Sequence, residues 1–239
     1  MGVLGVAERM SGRGWLWPVL VGMLLAGCSR TETPTAPTPA SRPAAESPRA
    51  VIERLMALRA ARRYTELAEL VVPSRAQEVV STLVAMDTFL DSNGRLCLWV
   101  REHVGMGLAQ RTDLAYLGSN LGIFSPHIEL LDEVVRGDAS ELGYMVDGRL
   151  PVEQAHLCLL HGTWRYDPGE GYSEDLLAGF RLMAQGLDGV LADLEAGRIS
   201  PDELRNTPDK LVERVQRSLA PGVALISRAR QEKAGAAGG

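Results

Sequence analysis

The sequence ASELGYMVDGRLPVEQAHLCLLHGTWRYD, residues 139–167, decides the fold of this chain. Asp147-Gly148 and His161-Gly162 are hairpin-turn signals that divide it into three segments. Apolar residues recur at alternate positions in these segments, which is the period of a half-buried β-strand. Residues 128–135, apolar with acidic interruptions, add one more segment. The pattern predicts an antiparallel meander of three to four strands, with the third strand central and covered on each face.

Helical spacing of apolar residues precedes the meander. Ser47 is followed by a proline and is a candidate N-cap for a first helix. Residues 64–72 predict a short second helix, which ends at a proline. The pattern Ser74-x-x-Gln77 is a capping box, so residues 74–104 are predicted to form one long helix or two in line. We expect the next 22 residues to form a loop with one short strand or helical turn.

After the meander the chain returns to helical spacing. Ser173 is a candidate N-cap for a helix that ends at Gly197, and a second capping box begins at Ser200. A last helix is expected to begin at Thr207 and to break at Pro221. The first of these helices has a regular apolar stripe, formed by Leu176, Phe180, Met183, Leu187, Val190 and Leu194. This stripe either packs on the outer face of the sheet or binds another protein.

These elements predict an α+β fold, with N-terminal helices and an antiparallel meander followed by a helical C-terminal extension. We assign residues 48–170 to the α+β domain and residues 171–233 to the extension. Residues 234–239, which contain three glycines and three alanines, are expected to be a disordered tail.

The N-terminus has the features of an export signal. Charged residues (Glu8, Arg9 and Arg13) precede the apolar run 15–26, which is shorter than the about 20 residues of a membrane span. The residues Leu25-Ala26-Gly27-Cys28 resemble the lipobox of bacterial lipoproteins. That resemblance implies removal of residues 1–27 as a signal peptide and attachment of a diacylglycerol and an N-acyl chain to Cys28.

Residues 28–47 are rich in Pro, Thr and Ser and predict an extended linker between the lipid and the domain. The expected location is the cell envelope, facing the periplasm, with the chain bound to a membrane through the lipid on Cys28. Ser29 occupies the position where an aspartate signals inner-membrane retention in some bacteria. The outer membrane is therefore favoured over the inner one.

The charge of the chain excludes one class of partner. Its 25 Lys and Arg residues and 30 Asp and Glu residues become 23 and 29 once residues 1–27 are removed, a net charge of −6. A mildly acidic chain without a basic block lacks the electrostatic signature of a nucleic-acid-binding protein. We therefore expect no nucleic acid partner, and membrane attachment must come from the lipid.

Two cysteines remain once Cys28 belongs to the anchor. Cys97 and Cys158 form a disulfide in one interpretation, since the envelope permits disulfides. In the other they are buried free thiols, which behave as small apolar residues. Their spacing is not that of a metal site, and the sequence predicts neither a metal nor a cofactor.

The segment HGTWRYDP, residues 161–168, ends the meander and resembles the last strand of the nuclear transport factor 2-like superfamily, which includes SnoaL-like proteins. The resemblance covers residues 48–168. It implies a cone-like α+β domain in which the sheet wraps a long helix and encloses a pocket. The catalytic patterns of the family's enzymes have no residue-by-residue match here, so no catalytic residue is assigned.

Candidate ligand-binding residues come from the meander. Tyr144, His156, Trp164 and Tyr166 either line a pocket or pack across the strands. His127, His156 and Asp167 would suit general base catalysis if they met in a pocket; otherwise the histidines are satisfied or exposed. Phosphate-binding loops, nucleophile elbows and His-Glu-x-x-His motifs are absent from the sequence.

We therefore expect a non-enzymatic envelope lipoprotein that binds a protein partner in the envelope or a small apolar ligand. One alternative is a small SnoaL-like enzyme with a His or Asp in its pocket. The other is an envelope assembly or scaffolding component, which would expose the apolar stripe of residues 176–194.

Overall fold

The computed structural model describes residues 46–118, 121–169 and 171–236. The lipobox, Cys28 and the linker up to residue 45 lie outside the described residues, as do residues 237–239 of the expected tail. Between residues 46 and 236, none of the described helices is long and apolar enough to cross a membrane.

The described residues form an α+β fold, as the sequence predicts. Helices precede and follow a single four-stranded sheet. In chain order the elements are α1 (Pro48–Ala60), α2 (Tyr64–Glu69), α3 (Ala76–His103), α4 (Met106–Thr112), two 3-10 turns (Ala115–Gly118 and Gly122–Phe124), β1 (Ile128–Arg136), β2 (Ala139–Val146), β3 (Arg149–Leu160), β4 (Thr163–Asp167), α5 (Glu174–Glu195), α6 (Pro201–Asn206) and α7 (Asp209–Ala236).

The sheet is the predicted antiparallel meander, with strand order β1-β2-β3-β4. Both hairpin signals are confirmed: the two residues of each turn have positive φ, for example 53° at Asp147 and 65° at Gly148. β3 is central in the order, but the expected cover on each of its faces is wrong. Gln154 and His156 are exposed. The helix α1 packs against the other face of the sheet, which carries the buried Ala155 and Leu157.

A short backbone junction joins the helices to the sheet. Val71 forms an isolated parallel bridge with Tyr166 on β4. The Tyr166 N–H donates to the carbonyl of Leu70 (2.8 Å), and the Val72 N–H donates to the carbonyl of Tyr166 (3.0 Å). The chain then turns before α3 begins, so its N-cap is Arg75, which makes no side-chain cap bond. The predicted capping box at Ser74 is wrong for this reason.

The long helix α3 is continuous, as one of the two interpretations of residues 74–104 requires, and it packs mainly with other helices. α5 lies against α3 on one side and α7 on the other. The rings of Phe89 and Phe180 meet with centroids 5.9 Å apart. All six residues of the predicted α5 stripe are buried. They pack between helices and not on the outer face of the sheet, so the scaffolding alternative lacks the exposed stripe on which it depends.

Residues 105–126 contain more helix than the sequence predicts, since α4 and both 3-10 turns fall within them. Gly105 begins α4 with a φ of 145°, which an L side chain rarely adopts. Leu108 and Ile123 are buried in the core. Burial of these residues stabilises short helical segments that have no clear period of their own.

The predicted break at Pro221 is wrong, because α7 continues through it to Ala236. Proline inside a helix costs about 3 kcal/mol through a lost hydrogen bond and a steric clash. Packing on α5 offsets this cost on both sides: Leu219 is buried before the proline, and Ile226 contacts α5 at Gly179 after it. Residues 234–236, expected to be disordered, belong to this helix.

Glycines set the distance between α5 and α7. A Cβ added at Gly186 would lie 2.5 Å from the carbonyl oxygen of Ser218, and one at Gly222 would lie 2.5 Å from that of Gly179. These distances are shorter than any ordinary contact, and the atoms they meet belong to backbone. The helices therefore approach closely only because side chains are missing at these positions.

This packing predicts opposite effects for two glycines of α5. Gly186→Ala should lower the free energy of unfolding by about 1–3 kcal/mol, because the new methyl group overpacks the α5–α7 contact. Gly189→Ala should raise it by about 0.5–1 kcal/mol, since Gly189 has open space around its Cα and alanine favours helix. Urea unfolding of both variants measures the difference, and stabilisation by both would contradict the close contact.

Candidate ligand-binding cavity

A cavity of about 610 Å³ lies where β3 extends beyond β4. The pairing of these strands ends at His156 and Asp167. The chain then turns into α5, and the space beside the first half of β3 remains open. The residues around it are Leu121, Gly122, Tyr144, Glu153, Gln154, His156, Tyr166, Pro168, Gly171, Tyr172, Ser173, Leu176 and Ala229. The volume is typical of a small-molecule site.

One wall of the cavity is a cross-strand pair of Tyr144 and Glu153. The two residues are direct partners on β2 and β3, and the Tyr144 hydroxyl donates to Glu153 Oε2 at 2.6 Å. Gly122 permits this arrangement: its φ is 56°, and a Cβ there would lie 3.0 Å from the Tyr144 hydroxyl. Burial, followed by the bond to Glu153, raises the pKa of Tyr144 well above its ordinary value.

Two tyrosines form the floor. Tyr166 comes from β4, and Tyr172 comes from the turn before α5. Their hydroxyls are close enough for each to affect the pKa of the other, and Phe124 packs edge-on against both rings, with centroids 6.0 Å and 6.4 Å away. Burial raises the pKa of both tyrosines well above the ordinary value, so both hydroxyls keep their protons at neutral pH.

The N-terminus of α5 closes the cavity on the side of the turn. Ser173 is its N-cap, and its side chain accepts from the Leu176 N–H at 3.2 Å, which confirms the predicted cap. Arg75 holds the preceding turn, since its Nη2 donates to the carbonyl of Gly169 at 2.7 Å. The same arginine pairs with Glu78 at 3.2 Å. The N-cap at Ser173 and the hydrogen bond from Arg75 to Gly169 therefore fix this wall of the cavity.

The structure brings three of the four predicted pocket residues to this cavity. Tyr144, Tyr166 and His156 border it. His156 differs from the other two, because it is exposed and its strand parity places it on the opposite face of β3. Trp164 does not border the cavity. It pairs with Leu159 near the start of β4, away from the cavity, and its side chain is buried. For Trp164 the packing interpretation holds.

The predicted general-base group does not assemble. His156 and Asp167 are cross-strand partners, but His127 precedes β1 and borders a different cavity of about 510 Å³ between α1, α3 and the second 3-10 turn. The charged groups of that cavity are already paired: Arg59 contacts Asp87 at 3.1 Å, and the Tyr64 hydroxyl donates to the same carboxylate at 2.5 Å.

The two domain cysteines are free thiols, and the disulfide alternative is not formed. Cys97 lies on α3 and Cys158 on β3, each half-buried. Burial raises the pKa of both thiols, so neither is an activated nucleophile. Within the described residues, no group of three or more His, Cys, Asp or Glu side chains is arranged to hold a metal ion.

Several residues of the cavity, among them Glu153, Tyr172 and Gly122, escape the sequence-based prediction. Glu153 does carry a signal, since it is an acid at a position that shares its parity with the buried Ala155 and Leu157. An ionisable group on the apolar side of a strand predicts a partner or a site. Tyr172 and Gly122 carry no such signal, because they reach the cavity through the turns before α5 and β1.

The arrangement is suited to binding. Protonated tyrosine hydroxyls donate hydrogen bonds, aromatic rings offer apolar and π surfaces, and Glu153 offers one carboxylate. The tyrosines cannot act as bases at neutral pH, because their raised pKa values keep them protonated.

The buried tyrosines predict a loss of stability in alkali. Their pKa is higher in the folded state than in the unfolded chain, where it is about 10. The stabilisation is therefore complete below about pH 10 and is lost as the pH rises above it, because the unfolded state releases protons more readily. Urea unfolding at pH 8, 10 and 11 should show this fall.

Tyr172→Phe is the control, since Tyr172 is fully buried and phenylalanine keeps its ring. This variant should lose about 0.5–1.5 kcal/mol at pH 8, because it removes the polar contact between the Tyr172 hydroxyl and Tyr166, but show a shallower fall between pH 10 and 11. An equal slope in both proteins would show that Tyr172 is not held protonated by the fold.

Comparison of the chain with protein-family models, with curated proteins and with solved structures finds no match. The likenesses to bacterial lipoproteins and to nuclear transport factor 2-like domains stay predictions from the quoted residues.

Proposed function

We propose that this protein is a lipid-anchored protein of the bacterial cell envelope whose α+β domain binds a small ligand and is not an enzyme. The ligand occupies the cavity between β3, the second 3-10 turn and the N-terminus of α5. The lipid on Cys28 and the linker after it keep this binding domain close to a membrane, with the outer membrane favoured.

The observation that carries the proposal is the composition of the cavity wall. Tyrosines from three separate segments, Tyr144, Tyr166 and Tyr172, converge on one space of about 610 Å³ together with Glu153. Leu121, Leu176 and Ala229 supply apolar surface between them. A concave site with a few oriented polar groups among apolar side chains is the usual form of a ligand site.

A second candidate function is a small enzyme of the SnoaL-like kind. The observation that favours it is that Glu153 and His156 border the same cavity, and a carboxylate and an imidazole are the usual acid–base groups. Binding is preferred because the two groups do not act together. Glu153 is hydrogen-bonded to Tyr144, while His156 is exposed on the opposite face of β3.

Filling the cavity should abolish ligand binding. Ala229→Trp places an indole at the α7 side of the cavity, and Ala224→Trp places the same group at an exposed position of the same helix. The probe is 4-fluorophenol, observed by fluorine NMR with the full chain in a non-ionic detergent. Wild type and Ala224→Trp should bind alike, and Ala229→Trp at least about 10-fold more weakly, because the indole occupies the site.

Detergent also takes up the probe, but this uptake is the same for all three proteins and therefore does not affect the comparison of their affinities. Equal binding by Ala229→Trp and wild type would contradict a ligand site in this cavity.

Incubation of an envelope extract with wild-type protein, followed by mass spectrometry, distinguishes the two candidate functions. Retention of a compound supports binding, and its conversion into a new compound that stops in Glu153→Gln supports the enzyme.

The anchor is tested at Cys28. Cys28→Ala should abolish labelling of the protein with radioactive palmitate and release it from the membrane fraction, because the alanine side chain cannot form the thioether. Cys97→Ala and Cys158→Ala are matched controls and should keep both properties. An unchanged membrane fraction for Cys28→Ala would contradict the lipoprotein assignment.

A further inference from the structure

We propose that the ligand of this cavity is an organic ammonium ion, held by the Glu153 carboxylate and by the rings of the surrounding tyrosines. The inference rests on the proposed ligand-binding function and names the chemical class of the ligand.

The first argument is the charge of the wall. Among the side chains that the structure describes around the cavity, Glu153 is the one carboxylate, and none is a lysine or an arginine. Its Oε2 accepts from Tyr144, and in the described part of the chain this is the one hydrogen bond recorded for the carboxylate. Oε1 is therefore available to a ligand. His156 also borders the cavity, but it is exposed on the opposite face of β3 and lies between the acidic residues Glu141 and Asp167 of the neighbouring strands, so the net charge that a ligand meets is negative.

The second argument is the number of aromatic rings. Tyr144, Tyr166 and Tyr172 all border the cavity, and their raised pKa values keep them neutral. A neutral phenol ring attracts a cation through its quadrupole, and several rings around one space are the usual way in which proteins recognise ammonium groups. A phenolate is not needed for this attraction.

The helix dipole of α5 is the main opposing effect. Ser173 and Leu176 bring its positive end to the cavity, and a helix N-terminus favours anions. Its strength is about half an elementary charge. The first turn of α5 contains Glu174 and Asp175, which offset this partial charge. The full charge of the Glu153 carboxylate therefore outweighs a partial positive charge that these two residues already reduce, and the balance favours a cation.

Arg75, which contacts the turn before α5, is already paired with an acid. Its guanidinium donates to the carbonyls of Gly169 and Tyr172 and forms an ion pair with Glu78.

A neutral ligand is disfavoured for a separate reason. Covering the half-buried Glu153 with an uncharged molecule would remove water from its carboxylate without compensation, whereas an ammonium group replaces that water with an opposite charge.

The test compares choline with 3,3-dimethyl-1-butanol, which has the same shape and no charge. Titration calorimetry of the full chain in a maltoside detergent should detect choline, and the neutral analogue should bind at least about 10-fold more weakly. Glu153→Gln keeps an acceptor for Tyr144 but removes the charge, and it should weaken choline binding at least about 10-fold. Glu141→Gln, which faces the other side of the sheet opposite His156, should leave the affinity unchanged.

A pair of variants at Tyr144 tests the rings. Tyr144→Phe keeps the aromatic face and should retain choline binding, whereas Tyr144→Leu should weaken it by about 3- to 30-fold. Thermal unfolding of each variant confirms that it is folded.

Each outcome decides the proposal. Equal binding of the two probes, or an unchanged affinity in Glu153→Gln, would overturn the cation assignment while leaving the ligand site intact. Absence of choline binding would overturn it as well. Failure of the ligand site itself is recognised separately, because 4-fluorophenol would then bind to Ala229→Trp as it does to wild type.

Discussion

The backbone of Tyr166 connects the two parts of the structure. Its N–H and carbonyl exchange hydrogen bonds with Leu70 and Val72, so the link between α2 and α3 lies alongside β4. This contact covers one edge of the sheet, which would otherwise present unpaired backbone groups. It also fixes which way β4 faces. The side chain of Tyr166 then points into the molecule, where it meets Tyr172 and forms the floor of the cavity.

The cavity is a consequence of unequal strand lengths. β3 has 12 residues and β4 has five, so the sheet ends on one side before β3 does. The chain uses the turn after β4 to reach α5, and Arg75 and Ser173 fix that turn. Glu153 lies on the part of β3 that has no β4 neighbour. A carboxylate at that position borders the same cavity as Tyr144, Tyr166 and Tyr172 and is only half-buried.

Much of the fold could be predicted from local patterns. The turn residues Asp147-Gly148 and His161-Gly162, the serine caps at Ser47, Ser173 and Ser200, and the apolar stripe of α5 are all found as predicted. The errors occur where a distant contact outweighs a local preference. Pro221 stays within α7 because of packing on α5, and Ser74 is not a cap because the bridge at Val71 sets the path of the chain. The candidate site was predicted in part: strand alternation places Tyr144 and Tyr166 on the same face, but Tyr172, Gly122 and Ala229 reach the cavity from other elements.

The sequence by itself determined the α+β class, the meander with its two turns and most helix ends, because each depends on residues that are neighbours along the chain. It also supplied the lipobox residues, on which the anchor prediction rests without any help from the fold. Tertiary structure decided what the sheet and helices do together. Glycine contacts bring α5 and α7 close, α3 and α7 bury the α5 stripe, and the residues that border the cavity lie as far apart in the chain as Leu121 and Ala229. Contacts of that range depend on three-dimensional packing, which hydrophobic periodicity does not encode.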